Sequence, residues 1–237
     1  MSSTQTHLQE MPSPTATTTG TAALWRILAA LAIAHVLVMF GSFGLQKVAP
    51  LGAPRDVVIA DHVTHAAPRG LAGLCLTLAA FLLLLVAATL LGRLLRGTTE
   101  LSGWLASTIA AAGAVYVGIS VVGELAPLAA ALYGGQHGAG VDVVVALVQL
   151  HWFALYGATG VLGVFTLAVA GAVLATRALP RWVAWTGLVV GAVCLAGVPG
   201  AGAGLADTAT AVWSVWFVGL GVAAARAPRA GRVPAAA

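Results

Sequence analysis

Apolar residues come in long unbroken runs along this chain, each about as long as a helix that crosses a bilayer, and short polar stretches punctuate them. Six runs are read: Leu24 to Leu45, Gly70 to Leu91, Gly103 to Gly123, Trp152 to Thr176, Trp182 to Val198 and Thr208 to Ala225. About 20 predominantly apolar residues are needed to span a hydrocarbon core. Ala, Gly, Leu and Val dominate the runs, as suits helices that satisfy all their backbone hydrogen bonds internally, and the short alternating segments of a β-barrel are missing. The expected fold is therefore all-α, a polytopic transmembrane bundle of six helices over residues 24–225. A Ser-, Thr- and Pro-rich tail, 1–23, has the composition of a disordered segment, and a short basic tail, 226–237, follows the bundle. The first run exceeds a signal-peptide core and no A-x-A site closes it, so it is read as an anchored helix.

Two apolar segments fall outside these spans. Ala126 to Tyr133 follows Glu124 and contains Pro127, and is expected to bend away from the third helix. Val143 to Leu150, if continuous with the fourth span, would give a rod of about 50 Å. That is well beyond a bilayer core, so this segment is expected to lie along the interface.

Composition strengthens the membrane reading: 60% of residues are hydrophobic and 8% charged, with a mean hydropathy of +0.98. Soluble domains are about 45–50% apolar. The few charges are clustered. One side of the predicted bundle collects Arg26, Arg93, Arg96, Arg177, Arg181, Arg226, Arg229 and Arg232 against Glu10 and Glu100. The other holds Lys47, Arg55 and Arg69 against Asp56, Asp61, Glu124, Asp142 and Asp207. By the positive-inside rule both termini face the cytoplasm of a cell (inner or plasma) membrane. The basic balance thus reports topology, and no nucleic-acid partner is expected. Tryptophans fit the same frame, Trp25, Trp104, Trp182 and Trp185 at inner ends, Trp152 and Trp213 near outer ends, and Trp216 one turn deeper.

Small residues mark packing. Gly187 and Gly191 form a GxxxG pair, and Gly157, Gly160 and Gly163 recur every three residues, a spacing that lets helices approach closely in lipid. Bundling within one chain is expected from them in preference to a dimer seam. Cys75 and Cys194 lie in different spans with no metal-ligand spacing, and are read as packing residues.

Polar chemistry concentrates on the outer side. Asp61, His62 and His65 stand in IADHVTH, while His137, Asp142, Glu124 and His151 occupy the second outer loop and adjacent span ends. Imidazole and carboxylate groups are competent zinc ligands, which makes His62, His65, Glu124, His137 and His151 the candidate metal set. Their spacing matches no strong motif, and solvated loop residues are the plainer reading; pH sensing by outward histidines is a third. His35 sits near the middle of the first span, where an ionisable group is a functional hypothesis by default. One hydrogen bond to a neighbouring helix would satisfy it, and that structural role is preferred over a proton relay or a haem ligand paired with His151.

The string RALPRWVAWTG, Arg177 to Gly187, resembles a set of uncharacterised bacterial six-helix membrane proteins in which LPRW…G opens the fifth helix. Ala184 stands where Gly is usual. The resemblance implies fold and location and carries no catalytic residues. Nucleophile elbows, P-loops and paired carboxylates are missing from the sequence. The expectation is a non-enzymatic integral protein without a cofactor, set in the lipid bilayer and binding a membrane-protein partner, a second copy, lipid or a small apolar ligand. The alternative is a small transporter or a metal-linked redox or sensor component using the outer His and acidic residues.

Overall fold

The computed structural model describes residues 15–45, 48–60, 67–130, 132, 137–138 and 140–227. Among them are seven α-helices and no strand: α1 Thr15–Phe43, α2 Arg55–Ile59, α3 Ala67–Leu94, α4 Glu100–Ala129, α5 Val141–Thr176, α6 Arg181–Gly197 and α7 Leu205–Ala225. Five of these, α1, α3, α4, α5 and α7, are long and apolar enough to cross a membrane. The sixth expected span, α6, has 17 residues. At 1.5 Å per residue it reaches about 26 Å, just under a bilayer core.

Each long helix packs on its neighbours in the chain, and α1 packs on α7, so the six close into a ring. Pairings run antiparallel throughout. Gly92 faces Ala106 while Gly113 faces Ala88, and Gly123 faces Ala154 while Gly171 faces Leu105. This up-and-down order brings the exposed side chains of Arg26, Arg93, Arg96, Arg177, Arg181 and Arg226 to one end of the bundle. Arg55, Asp56, Asp142 and Asp207 belong to the other, where Arg55 and Asp142 form an ion pair.

Helix boundaries follow local chemistry. Thr99 caps α4, its hydroxyl oxygen accepting from the Ser102 amide at 3.2 Å, and Glu100 adds a negative charge to the first turn. Pro180 takes the cap position of α6, where its missing amide hydrogen costs no helical bond. Between α5 and α6 the chain reverses through Arg177, whose left-handed φ of 55° is unusual for a residue with a side chain.

Three expectations are corrected here. Helix α1 starts at Thr15, inside the segment read as a disordered tail, because extending a helix already nucleated by an apolar span costs little per residue. Helix α4 passes through Pro127 and continues to Ala129 instead of bending away. Helix α5 is one unbroken rod of 36 residues, about 54 Å long, so Val143 to Leu150 projects along its axis and does not turn into the interface. What stabilises the projection is a small apolar cluster of its own, in which Val144 and Val148 pack with Ala49, Val58 and Ala130. The Trp152 indole N–H ties the α1–α3 connection down by donating to the Ala49 carbonyl at 2.9 Å.

The ring is held by close approach, since burying apolar groups gains little in lipid. A Cβ placed on Gly163 would lie 2.9 Å from the Gly191 carbonyl oxygen, and one on Gly191 would lie 3.1 Å from that of Gly163. Gly160 and Gly187 are similarly crowded, whereas Gly157 faces open space. The glycine spacing thus marks a seam within the chain, between α5 and α6. Outward surfaces are apolar, with Leu37, Phe153, Val189 and Val215 at least 65% exposed, the character of helices that face lipid on one side and protein on the other. Cys75 is exposed and Cys194 buried, both as free thiols. Trp104, Trp182 and Trp185 are exposed near the basic end, as an interfacial belt requires. Trp25 and Trp213 depart from that expectation: they are buried among neighbouring helices, where tight packing outweighs their preference for headgroups, and Trp216, expected one turn deeper, is buried as well.

Candidate functional site

Two polar layers lie inside the ring. The deeper one centres on His35, whose side chain is sealed at 1% exposure. Its Nδ1 lies 2.7 Å from the Ala80 carbonyl oxygen on α3. A carbonyl only accepts, so Nδ1 carries the proton and donates. The imidazole is nearly perpendicular to the rings of Trp213 and Phe217, with centroids 6.0 Å and 5.8 Å away. Trp213 stacks on Phe217 at 4.8 Å, and its indole N–H donates to the Thr166 hydroxyl at 3.0 Å. This layer is an aromatic plug with every polar hydrogen placed, and the geometry of His35 is that of a structural tie between α1 and α3.

The outer layer is different in kind. Glu124 on α4 and His151 on α5 approach to 3.9 Å, with side chains 11% and 10% exposed respectively. Backbone chemistry explains the position of His151. Pro127 has no amide hydrogen, so the carbonyl of Gly123 four residues earlier loses its helical donor. His151 Nδ1 stands 3.2 Å from that carbonyl oxygen and donates to it. Gly123 itself is required by the fit, since a Cβ there would come within 2.7 Å of the Ala154 methyl. Proline, glycine and histidine together bind α4 to α5 beside Glu124.

Glu124 and His151 form one wall of a cleft between five helices. Tyr116, Ser120 and Thr210 add hydroxyl groups to the lining, while Met39, Phe43, Phe81 and Leu155 add apolar side chains. The cleft is partly open and encloses a cavity of about 30 Å³. A single ordered water needs roughly 10–15 Å³, so two fit without rearrangement. Tyr116 and Ser120 stand one turn apart on α4, and Phe81 and the Tyr116 ring are in a T-shaped arrangement with centroids 6.0 Å apart.

Of the expected metal set, the structure brings together Glu124 and His151. His62 and His65 lie outside the described residues, as does Asp61. His137 is exposed. Among the described residues no three His, Cys, Asp or Glu side chains come close enough to hold a metal ion together. Sequence reading missed Tyr116, Ser120 and Thr210, although a signal was present. Tyr116, Ser120 and Glu124 are spaced four apart and so share one face of an otherwise apolar helix.

The antiparallel ring, its apolar exterior and the polar cleft inside define a multi-pass helical membrane protein. Comparison with known proteins gives no matching family, no matching curated protein and no matching solved structure.

Proposed function

We propose that this is a non-enzymatic protein of the cell (inner or plasma) membrane that binds a small ligand in the cleft between α1, α3, α4, α5 and α7. One observation carries the reading: a carboxyl and an imidazole, expensive groups to hold among apolar helices, stand together at the wall of a partly open cavity. Neither is needed to seal the fold at its centre, where His35 and the aromatic plug already do so. A bacterial origin, in line with the likeness at Arg177 to Gly187, belongs to the same proposal. No cofactor enters it, and a membrane-protein partner or second copy would sit on the apolar exterior.

Cleft binding is tested with protein in lipid nanodiscs, following thermal unfolding while small probes are titrated at fixed ionic strength: formamide, formate, methylammonium, Na⁺ and K⁺. At least one probe should raise the midpoint saturably. Ser120→Leu, which fills the cleft, should remove that rise. If no probe protects the natural protein, or if protection survives the filled cleft, the reading fails.

Orientation is proposed with both termini cytoplasmic, on the strength of the arginine-rich end. A C-terminal fluorescent-protein fusion should glow and a C-terminal alkaline phosphatase fusion should stay inactive. An active phosphatase fusion would place the C-terminus outside and overturn this orientation.

A further inference from the structure

Resting on the cleft-binding reading, the geometry points to a specific occupant: a small monovalent cation, either an alkali-metal ion or an ammonium group, held by Glu124. The first argument is charge. Among the described residues that line the cleft, Glu124 is the one acidic side chain and none is Lys or Arg. Its carboxylate makes no hydrogen bond among the described residues. The nearest group able to offset its charge is His151, but that Nδ1–H is directed at the Gly123 carbonyl, 3.2 Å away, and lies 3.9 Å from the carboxylate. Arg55, at the same end of the bundle, is already paired with Asp142. Among the described residues, then, no Lys or Arg neutralises this carboxyl, which is 11% exposed.

The second argument is the donor set. Ser120, Tyr116 and Thr210, each with a hydroxyl group, line the cleft together with Glu124. Neutral oxygens plus one carboxylate are ligands for a hard cation or hydrogen-bond acceptors for an ammonium group. One negative charge matches one positive charge. A divalent ion would leave an uncompensated charge against the apolar side chains of Phe43, Phe81 and Leu155, which is strongly disfavoured.

Size decides the rest. With a cavity of about 30 Å³, the cleft takes a bare ion, an ion with one water, or a group as small as methylammonium. Phe81 and the Tyr116 ring would contribute attraction through their faces, a term that favours an ammonium group over water.

The test uses the full chain in nanodiscs at constant ionic strength, with N-methyl-D-glucamine chloride, too large for the cleft, as background. Na⁺, K⁺, NH₄⁺ and methylammonium are each exchanged for it while the unfolding midpoint is followed. At least one should raise the midpoint saturably, and the order among the four separates an alkali-metal ion from an ammonium group. Glu124→Gln should weaken that response at least tenfold, Ser120→Ala a few-fold, and Asp207→Asn, outside the cleft, not at all. Ser120→Ala retains the charge, so the inference stays testable if Glu124→Gln does not fold. All four cations matching the background, or an equal response in Glu124→Gln, overturns the inference. Protection by formamide or formate alone, abolished by Ser120→Leu, would overturn the cation while leaving a ligand-binding cleft. Protection by no probe would remove both.

Discussion

Replacing Trp213 by Ala should destabilise the bundle by about 2–4 kcal/mol, the largest loss expected of any single side chain. The ring is 1% exposed. It stacks on Phe217, meets His35 and Phe165 at its edges or face, and overlaps Tyr116 with centroids 6.4 Å apart. In a soluble protein part of such a loss would be the cost of returning apolar area to water. Here the unfolded helices remain in lipid, so the loss comes from vacated contacts and from the cavity left among α1, α4, α5 and α7. Trp213→Phe separates packing from hydrogen bonding. It removes the indole N–H, yet the Thr166 hydroxyl still donates to the Leu162 carbonyl at 2.7 Å, leaving no unpaired donor. That variant should cost about 1 kcal/mol. Reversible unfolding in mixed micelles of increasing SDS content measures both, and an Ala variant as mild as the Phe variant would show that the plug does not hold the ring together.

The second large effect is expected at the α5–α6 seam. Gly163→Ala should cost about 1–3 kcal/mol, because its new methyl would meet the Gly191 carbonyl, a backbone atom that moves only if the whole helix moves. Leu195 crowds the same point at 2.8 Å. Gly157→Ala, two repeats earlier on the same helix, meets nothing within 4 Å. It should be neutral or stabilising by up to about 1 kcal/mol through helix propensity. Measuring the pair under the same unfolding conditions makes the comparison internal. Equal effects at Gly157 and Gly163 would mean that the seam is not where α5 and α6 meet.

That contrast shows how far the sequence could be read. The crossings were legible because apolar length is a local property, visible in any run of about 20 residues. The glycine repeat was legible as packing, but the choice between Gly157 and Gly163 depends on which face α6 occupies, and no single helix carries that information. Pro127 was read by its usual effect, as a bend. Its consequence was different because His151, 24 residues further on, supplies the donor that proline removes from the Gly123 carbonyl. The interfacial placing of Val143 to Leu150 failed for a related reason, since Ala49 and Val58 come from another part of the chain to cover it. Glu124 and His151 were identified as candidates, yet their partners were sought among loop histidines. The hydroxyl groups of Tyr116 and Ser120 lay unread on the same face as Glu124, because the search for a site was confined to ionisable residues and the outer loops.

The contact of α1 with α7 also has a consequence for how the chain is made. Helix α1 leaves the ribosome first, and the face it presents to Trp213 and Phe217 must wait about 180 residues for its partner, roughly 10–40 s at ordinary rates of synthesis. During that interval His35 would be an open donor in lipid, were it not for Ala80. The bond to that carbonyl becomes available as soon as α3 is inserted. An early hairpin of α1 and α3 can therefore wait in the bilayer with its histidine already satisfied, and α7, arriving later, adds its rings to that histidine without having to supply its hydrogen bond.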